Sequence, residues 1–126
     1  MSAPLRILIA DDHEAFRAML KSMLERLGAE VVECRDGLEA VQRFSEVAPD
    51  WVLMDIEMPK LDGLSAARQI TAINPKARVV MITQHDDADL RAEAGRAGAT
   101  GYVRKDNLQV LPGLLKRPPD QIRPSL

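Results

Sequence analysis

The 126-residue chain contains a single cysteine and no long apolar run. One cysteine excludes an internal disulfide bond, and we expect Cys34 to be a buried or half-buried strand residue without a functional role. Apolar runs of a few residues are too short to span a bilayer, and Asp11 and Asp12 interrupt the N-terminal stretch that a signal peptide would keep apolar. We therefore expect a cytoplasmic protein that does not enter the membrane.

The chain also lacks an excess of basic residues. It has 17 lysines and arginines against 19 acidic residues, which gives a formal net charge of -2. Binding to a nucleic acid backbone requires clustered positive charge, so we expect no direct nucleic-acid binding. The length suits one compact domain, which we place at residues 1–117. Residues 118–126 are expected to form a proline-rich C-terminal tail or the start of a linker.

Short apolar runs alternate with segments of helical periodicity. The runs lie at 5–10, 31–32, 51–54, 79–82 and 102–103, where we expect five strands. After the first run, apolar residues recur at steps of three and four, which predicts an amphipathic helix ending at Gly28. Its apolar residues are Phe16, Met19, Leu20, Met23, Leu24 and Leu27. Arg17, Lys21 and Glu25 are predicted to lie on its other faces.

Four further helices are indicated by their end signals. Asp36 is typical of a helix N-cap, the third helix is expected to stop before Asn74, and the fourth is expected to stop at Gly98. The predicted apolar face of the third helix is Leu64, Ala67, Ile70 and Ile73. Pro112 and Gly113 interrupt the last segment, so we expect a short or broken fifth helix.

This alternation predicts the fold class. Strands that are apolar nearly throughout must be covered on both faces, and a connection that contains a helix joins parallel strands. We therefore predict an α/β fold with a doubly wound, five-stranded parallel sheet in which strand and helix alternate five times. Ligands bind such sheets beyond the carboxyl ends of the strands, so the residues that follow each apolar run are the candidate site.

Polar residues follow four of the five runs. They are Asp11 and Asp12, Asp55, Thr83, and Arg104 with Lys105. Three carboxylates packed together repel one another unless a cation neutralises them. Because the candidate ligands are oxygens, they favour a hard divalent ion, with Mg2+ the usual one, and disfavour zinc. Taken alone, Asp11 and Asp12 are equally well explained as acids that stabilise a helix N-terminus.

The cluster of carboxylates indicates phosphoryl chemistry. A carboxylate beside a divalent ion can act as a nucleophile toward phosphorus, which would give an acyl phosphate. Lys105 and Thr83 are suitable donors to the phosphoryl oxygens. An aspartyl-nucleophile phosphatase of another α/β family is a competing interpretation. Such an enzyme would carry its nucleophile, and a second acid two residues later, after the first strand, whereas Asp55 follows the third.

From about Leu5 to Lys105, the chain resembles the receiver domain of bacterial two-component response regulators. The segment ILIADDHE resembles that family's first strand and acidic pair, and WVLMDIEMPKLDG resembles its acceptor segment. VVMIT resembles the fourth strand with its hydroxyl residue, and GYVRK the fifth strand with its lysine. The resemblance implies a flavodoxin-like fold with strand order 2-1-3-4-5.

The resemblance also implies roles in a metal and phosphoryl site. Asp55 is implied to be the phosphoryl acceptor, assisted by Lys105 and Thr83. Asp12 is implied to bind Mg2+ directly, Asp11 mainly through water, and Glu57 through its backbone carbonyl. The Glu57 side chain and Gln84 are implied to influence the lifetime of the phosphoryl group. His13 and His85 flank this site, and we expect both to be solvated surface residues.

A conformational switch follows from the same resemblance. Thr83 is implied to move toward a phosphorylated Asp55, after which Tyr102 turns inward and changes the surface of the fourth helix, fifth strand and fifth helix. On its own, Tyr102 is better explained as a core residue, because a lone tyrosine in a strand is more often a packing residue than a switch. Many family members have proline after the lysine, whereas this chain has Asp106, for which we expect a trans peptide bond.

The implied function is a phosphorylation-dependent signalling switch of a two-component system, not an enzyme with a separate substrate. Its implied partners are a histidine kinase or histidine phosphotransfer protein, and a downstream protein or output domain; a homodimer stays open. The alternative is a pseudo-receiver that signals through protein contacts without phosphorylation. The intact acids, Thr83 and Lys105 argue against that alternative.

Overall fold

A computed structural model of the chain describes residues 4–85 and 87–116. The strands are β1 Arg6–Ala10, β2 Glu30–Cys34, β3 Trp51–Asp55, β4 Val79–Thr83 and β5 Gly101–Arg104. The α-helices are α1 Glu14–Arg26, α2 Gly37–Val47, α3 Gly63–Ile73, α4 Ala88–Arg96 and α5 Leu111–Leu115, with a 3-10 helix at Leu108–Val110. The predicted tail at 118–126 lies outside the described residues.

The strands form one parallel sheet in the order β2-β1-β3-β4-β5, which confirms the predicted fold and strand order. Alternate residues of each strand face opposite sides. In β1, Ile7 and Ile9 pack with α1 and α5, whereas Leu8 and Ala10 pack with α2, α3 and α4. Because both faces are covered, the strands have to be apolar throughout, and their polar residues are left to the strand ends.

The first helix differs from its predicted pattern at Met19 and Leu27, which are exposed although they were placed on its apolar face, and at Arg17. Its face toward the sheet carries Leu20 and Leu24, but Arg17 is also buried, with 8% of its surface exposed, so the prediction that Arg17 lies on another face was wrong. Its guanidinium donates to the backbone oxygen of Asp11 at 2.7 Å and to the carboxylate of Glu33 at 3.0 Å. These partners satisfy the buried charge.

The predicted ends of the other helices agree with the structure. The carboxylate of Asp36 accepts a hydrogen bond from the backbone N–H of Glu39 at 2.8 Å, which confirms the N-cap of α2. Helix α3 ends at Ile73, directly before Asn74. Ile73 is exposed, so including it in the apolar face of α3 was wrong.

Helix α5 is short, as expected. It spans five residues, and Pro112 lies in its first turn, where a missing N–H is tolerated. Leu111 and Leu115 are one turn apart and both are buried against the α1 side of the sheet. None of the described helices is long and apolar enough to cross a membrane.

Candidate functional site

The sheet brings the predicted polar residues together at its carboxyl edge. Asp11 directly follows β1, Asp55 ends β3, Thr83 ends β4 and Lys105 directly follows β5. The ammonium nitrogen of Lys105 lies 3.0 Å from a carboxylate oxygen of Asp11 and 3.7 Å from one of Asp55. Parallel strands that end at the same edge are what allow residues so far apart in sequence to meet.

Three of these side chains are almost completely removed from solvent. Asp11, Asp55 and Thr83 are 2%, 6% and 1% exposed, respectively. The Lys105 side chain is nearly as buried, whereas Asp12 is exposed beside them. A buried carboxylate pair with one ammonium partner leaves negative charge uncompensated at this edge.

The environment of Asp55 raises the pKa of its carboxyl group. The pKa rises from the ordinary 3.8 to about 6; burial is the largest cause, and the negative charges of Asp11 and Asp12 act in the same direction. Lys105 opposes the rise but does not cancel it. Its ammonium lies closer to Asp11 than to Asp55, which fits that incomplete compensation.

The acidic residues offer a set of donors for a hard cation. Asp11, Asp12, His13 and Asp55 each present one ligand atom, and these four atoms lie within 4.8 Å of one another. Three of the four donors are carboxylate oxygens, which are the ligands that hard divalent ions prefer. Burial and the neighbouring carboxylates of Asp11 and Asp12 raise the pKa of Asp55 despite Lys105, and a divalent cation would favour its charged form, so the described residues fit such an ion.

The two histidines lie at the surface of the site, as expected, but neither is isolated. The Nδ1 atom of His13 lies 3.3 Å from Asp11 and 3.4 Å from Asp12, although most of its side chain is exposed. The Nε2 atom of His85 lies 2.9 Å from the carboxylate of Glu57. The sequence pattern indicated neither contact.

A cavity of about 210 Å³ opens above Asp55. It is lined by Asp12, His13, Asp55, Glu57, Thr83, Gln84 and His85. Both residues predicted to influence the phosphoryl lifetime, Glu57 and Gln84, therefore lie at its wall. The Glu57–His85 pair joins the loop after β3 to the loop after β4 beside this cavity.

The predicted switch residues are connected through the backbone of His85. The backbone N–H of His85 donates to the hydroxyl of Thr83 at 3.2 Å, and the Tyr102 hydroxyl donates to the carbonyl of His85 at 2.9 Å. Tyr102 is buried, and the guanidinium of Arg91 lies 4.7 Å from the centre of its ring. The side chain of Tyr102 is therefore already turned inward in the described structure. That phosphorylation moves it stays a prediction.

Three residues that contact the site were not among those predicted from the sequence. Arg17 holds the backbone after β1, and its spacing of three and seven from Leu20 and Leu24 was an available signal that it shares their face. Phe16 lies under Lys105, with its ring centre 4.4 Å from the ammonium nitrogen. The backbone of Gly63 packs directly on the carbonyl group of Asp55. Sequence spacing does not reveal these last two contacts.

Comparison with known proteins agrees with this geometry. The profile described as response regulator receiver domain matches residues 7–114. The chemotaxis protein CheY of Bacillus subtilis is 40% identical over 101 residues, which cover 79% of this chain and 84% of that protein.

Two solved structures are similar over nearly the whole chain. A two-component response regulator of the LuxR family from Aurantimonas has a TM-score of 0.82 at 34% identity, covering 89% of this chain and 85% of its own. The response regulator TrrA of Thermotoga maritima, in complex with Mg2+ and BeF, has a TM-score of 0.81 at 32% identity. The match covers 89% of this chain and 96% of TrrA. The residues that the receiver-domain profile matches, 7–114, include all of the sheet except Arg6, together with the site at the carboxyl ends of the strands. This chain therefore belongs to the response regulator receiver domain family.

Proposed function

We propose that this chain is a phosphorylation switch that accepts a phosphoryl group on Asp55 from a phosphohistidine of a partner kinase or phosphotransfer protein. The observation that carries this proposal is the position of the Lys105 ammonium, which lies between Asp11 and Asp55 at the carboxyl edge of the sheet. That arrangement combines a nucleophile with a fixed positive charge beside it.

In the proposed reaction, a carboxylate oxygen of Asp55 attacks phosphorus. The phosphorus–nitrogen bond to the donor imidazole breaks, the imidazole keeps the bonding electron pair and takes up a proton, and an aspartyl phosphate is formed. Water later attacks the phosphorus, which releases inorganic phosphate and restores the carboxylate. The protein contributes mainly by positioning and by stabilising charge.

Each residue has a proposed part in this cycle. Lys105 donates to a phosphoryl oxygen, and the Thr83 hydroxyl donates to a second one after transfer. Asp12, Asp11 and Asp55, together with the backbone carbonyl of Glu57, would hold Mg2+. When bound, that ion would neutralise negative charge on the carboxylates and on the transferring group.

We further propose that the signal leaves the site through Thr83, His85 and Tyr102. If the Thr83 hydroxyl turns toward a phosphoryl oxygen, its hydrogen bond with the backbone N–H of His85 breaks. Because the carbonyl of His85 accepts a hydrogen bond from Tyr102, a change at His85 reaches that ring. Tyr102 and Arg91 line a second cavity next to β5, so a change in Tyr102 alters the surface on that side. A downstream protein or an attached output domain would recognise that change, and we expect the protein to work in the cytoplasm.

Intact mass spectrometry tests the proposal. The protein is incubated with acetyl phosphate, with and without Mg2+, beside the variant Asp55→Asn. We expect one added phosphoryl group, about 80 Da, only in the wild type and only with Mg2+. A wild type that accepts no phosphoryl group from acetyl phosphate or from phosphorylated histidine kinases would instead support the pseudo-receiver, a protein-interaction module that signals without phosphorylation.

A further inference from the structure

Phe16 and Lys105 form a contact that links the first helix to the site. Phe16 is the third residue of α1 and is half-buried against the α1 side of the core. The ammonium nitrogen of Lys105 lies 4.4 Å from the centre of the Phe16 ring. This distance is within the range in which a cation is attracted to the negative face of an aromatic ring.

We propose that Phe16 is a positioning residue for Lys105, holding the ammonium at the edge of the site through its ring face. The proposal rests on the function proposed above. Phe16 does not touch the reacting atoms in this role. It acts by restricting where the flexible lysine side chain places its charge.

The physical need for such a residue comes from the lysine side chain itself. Lysine has four rotatable bonds and loses much conformational freedom when its end is fixed. A ring face attracts the ammonium without using a carboxylate, so the N–H groups stay available for Asp11, Asp55 and an arriving phosphoryl oxygen. A lysine already held in place loses less freedom when that group arrives.

The other described contacts of the ammonium are both with carboxylates of the proposed Mg2+ site. Asp11 lies 3.0 Å and Asp55 3.7 Å from it. A divalent ion bound there would draw on the same negative charge and weaken the hold of both acids on Lys105. The attraction to the Phe16 ring would not be reduced in this way. Phe16 would therefore keep holding Lys105 with Mg2+ bound and before a phosphoryl oxygen arrives.

A double-mutant cycle tests this role. Phe16→Leu keeps an apolar side chain but removes the ring face, and Phe16→Tyr keeps the ring. We expect Phe16→Leu to slow phosphoryl uptake from acetyl phosphate about threefold to tenfold, and Phe16→Tyr to stay within about twofold of the wild type. In a Lys105→Met background, Phe16→Leu should change the rate by less than about twofold, because the partner of the ring is gone.

A matched control separates positioning from packing. Phe44→Leu makes the same chemical change in α2, on the opposite face of the sheet, and we expect it to leave the uptake rate within about twofold of the wild type. Unfolding in urea checks that the Phe16 variants are folded. If Phe16→Leu slows uptake equally with and without Lys105, or if Phe16→Tyr is as slow as Phe16→Leu, the positioning role is overturned.

A second readout does not require phosphorylation. Protons above the face of an aromatic ring resonate upfield, so the ε-methylene protons of Lys105 should be upfield of other lysine signals in the wild type and in Phe16→Tyr. They should return to the ordinary position in Phe16→Leu. Equal shifts in all three proteins would overturn the contact. A wild type that shows the shift but takes up no phosphoryl group would contradict the proposed function and leave the contact supported.

Discussion

The hydroxyl of Tyr102 donates a hydrogen bond to the backbone carbonyl of His85 at 2.9 Å. The backbone N–H of His85 in turn donates to the hydroxyl of Thr83, so the backbone of His85 connects the end of β4 to Tyr102 in β5. A rotation of the Thr83 hydroxyl toward Asp55 would break the second of these bonds. This chain of contacts offers a short path along which a charge change at Asp55 can reach the surface.

Phosphorylation is therefore expected to change the surroundings of Tyr102. It is the only tyrosine in the chain, so 3-fluorotyrosine gives one fluorine resonance. Adding Mg2+ and acetyl phosphate should shift that resonance, and Thr83→Ala should remove the shift because the hydroxyl that moves is missing. Fluorotryptophan at Trp51, at the opposite end of β3 from Asp55, serves as the control. An unchanged tyrosine signal in protein shown by mass to be phosphorylated would contradict this path.

The raised pKa of Asp55 predicts that Asp55→Asn stabilises the protein in the absence of divalent ions. The unfolded chain loses this proton near the ordinary pKa of 3.8 and the folded chain near 6, so the stability of the wild type falls as the pH rises between these values. The amide of Asn does not ionise in this pH range, so it adds no such pH dependence. We expect Asp55→Asn to exceed the wild type by about 2 to 3 kcal/mol above pH 6 and by little at pH 4.

Urea unfolding in EDTA, from pH 4 to 7.5, measures this difference. Glu25→Gln, an exposed carboxylate on α1, is the control and should change the free energy of unfolding by less than about 0.5 kcal/mol. Adding Mg2+ should stabilise the wild type more than Asp55→Asn. A difference between the two proteins that does not vary with pH would show that Asp55 is not the group that titrates.

Breaking the Glu57–His85 pair is expected to shorten the lifetime of the phosphoryl group. The pair lies beside the cavity above Asp55, and we expect it to limit the approach of water there. We expect Glu57→Gln and His85→Gln each to speed the loss of phosphate about twofold to fivefold, and the double variant to add little, because both break one interaction. Mass spectrometry after removal of acetyl phosphate measures the rate at which the phosphorylated protein returns to its unmodified mass.

Glu46→Gln is the matched control for the same experiment. Glu46 forms an exposed ion pair with Arg43 on α2 and does not line the cavity. Its substitution should leave the phosphoryl lifetime unchanged. Additive effects of Glu57→Gln and His85→Gln would mean that the two side chains act separately and that their contact does not control access.

Gly63→Ala is expected to disturb both stability and the acceptor. A Cβ atom at Gly63 would overlap the carbonyl oxygen of Asp55 and lie 2.9 Å from the Cα atom of Ile56. Because these neighbouring atoms belong to the backbone, they cannot move aside by a side-chain rotation. We expect the free energy of unfolding to fall by about 2 kcal/mol or more, together with slower phosphoryl uptake. Gly113→Ala is the matched control, since a Cβ there meets no atom within 4 Å. It should be neutral or slightly stabilising.

The thiol of Cys34 is expected to be unreactive in the folded protein. Burial raises its pKa to about 12, and the negative charge of Glu39 acts in the same direction. At pH 8 only about one thiol in ten thousand is then ionised. A disulfide reagent such as Ellman's reagent should therefore label Cys34 at the rate of unfolding, and quickly in urea. Rapid labelling of the folded protein would contradict the described burial.

The alternation of apolar runs and amphipathic segments was enough to predict the fold. Buried strands repeat a simple pattern, and a strand covered on both faces is polar only where it ends. For the same reason Asp11, Asp55, Thr83 and Lys105 were recognisable as one site although they are spread over most of the chain. The short α5 was also predictable, because Pro112 and Gly113 act through local backbone preferences.

The sequence by itself determined which chemical groups meet at the edge of the sheet, because strand positions follow from local periodicity and parallel strands all end at that edge. The order of the strands came from the resemblance to the receiver family. Only the tertiary structure decided which contacts hold those chemical groups there. The ring of Phe16 under Lys105 and the backbone of Gly63 against Asp55 depend on how a helix or loop packs against the end of the sheet. Such contacts join residues without a fixed spacing, so they are set by three-dimensional packing and leave no periodic signal in the sequence.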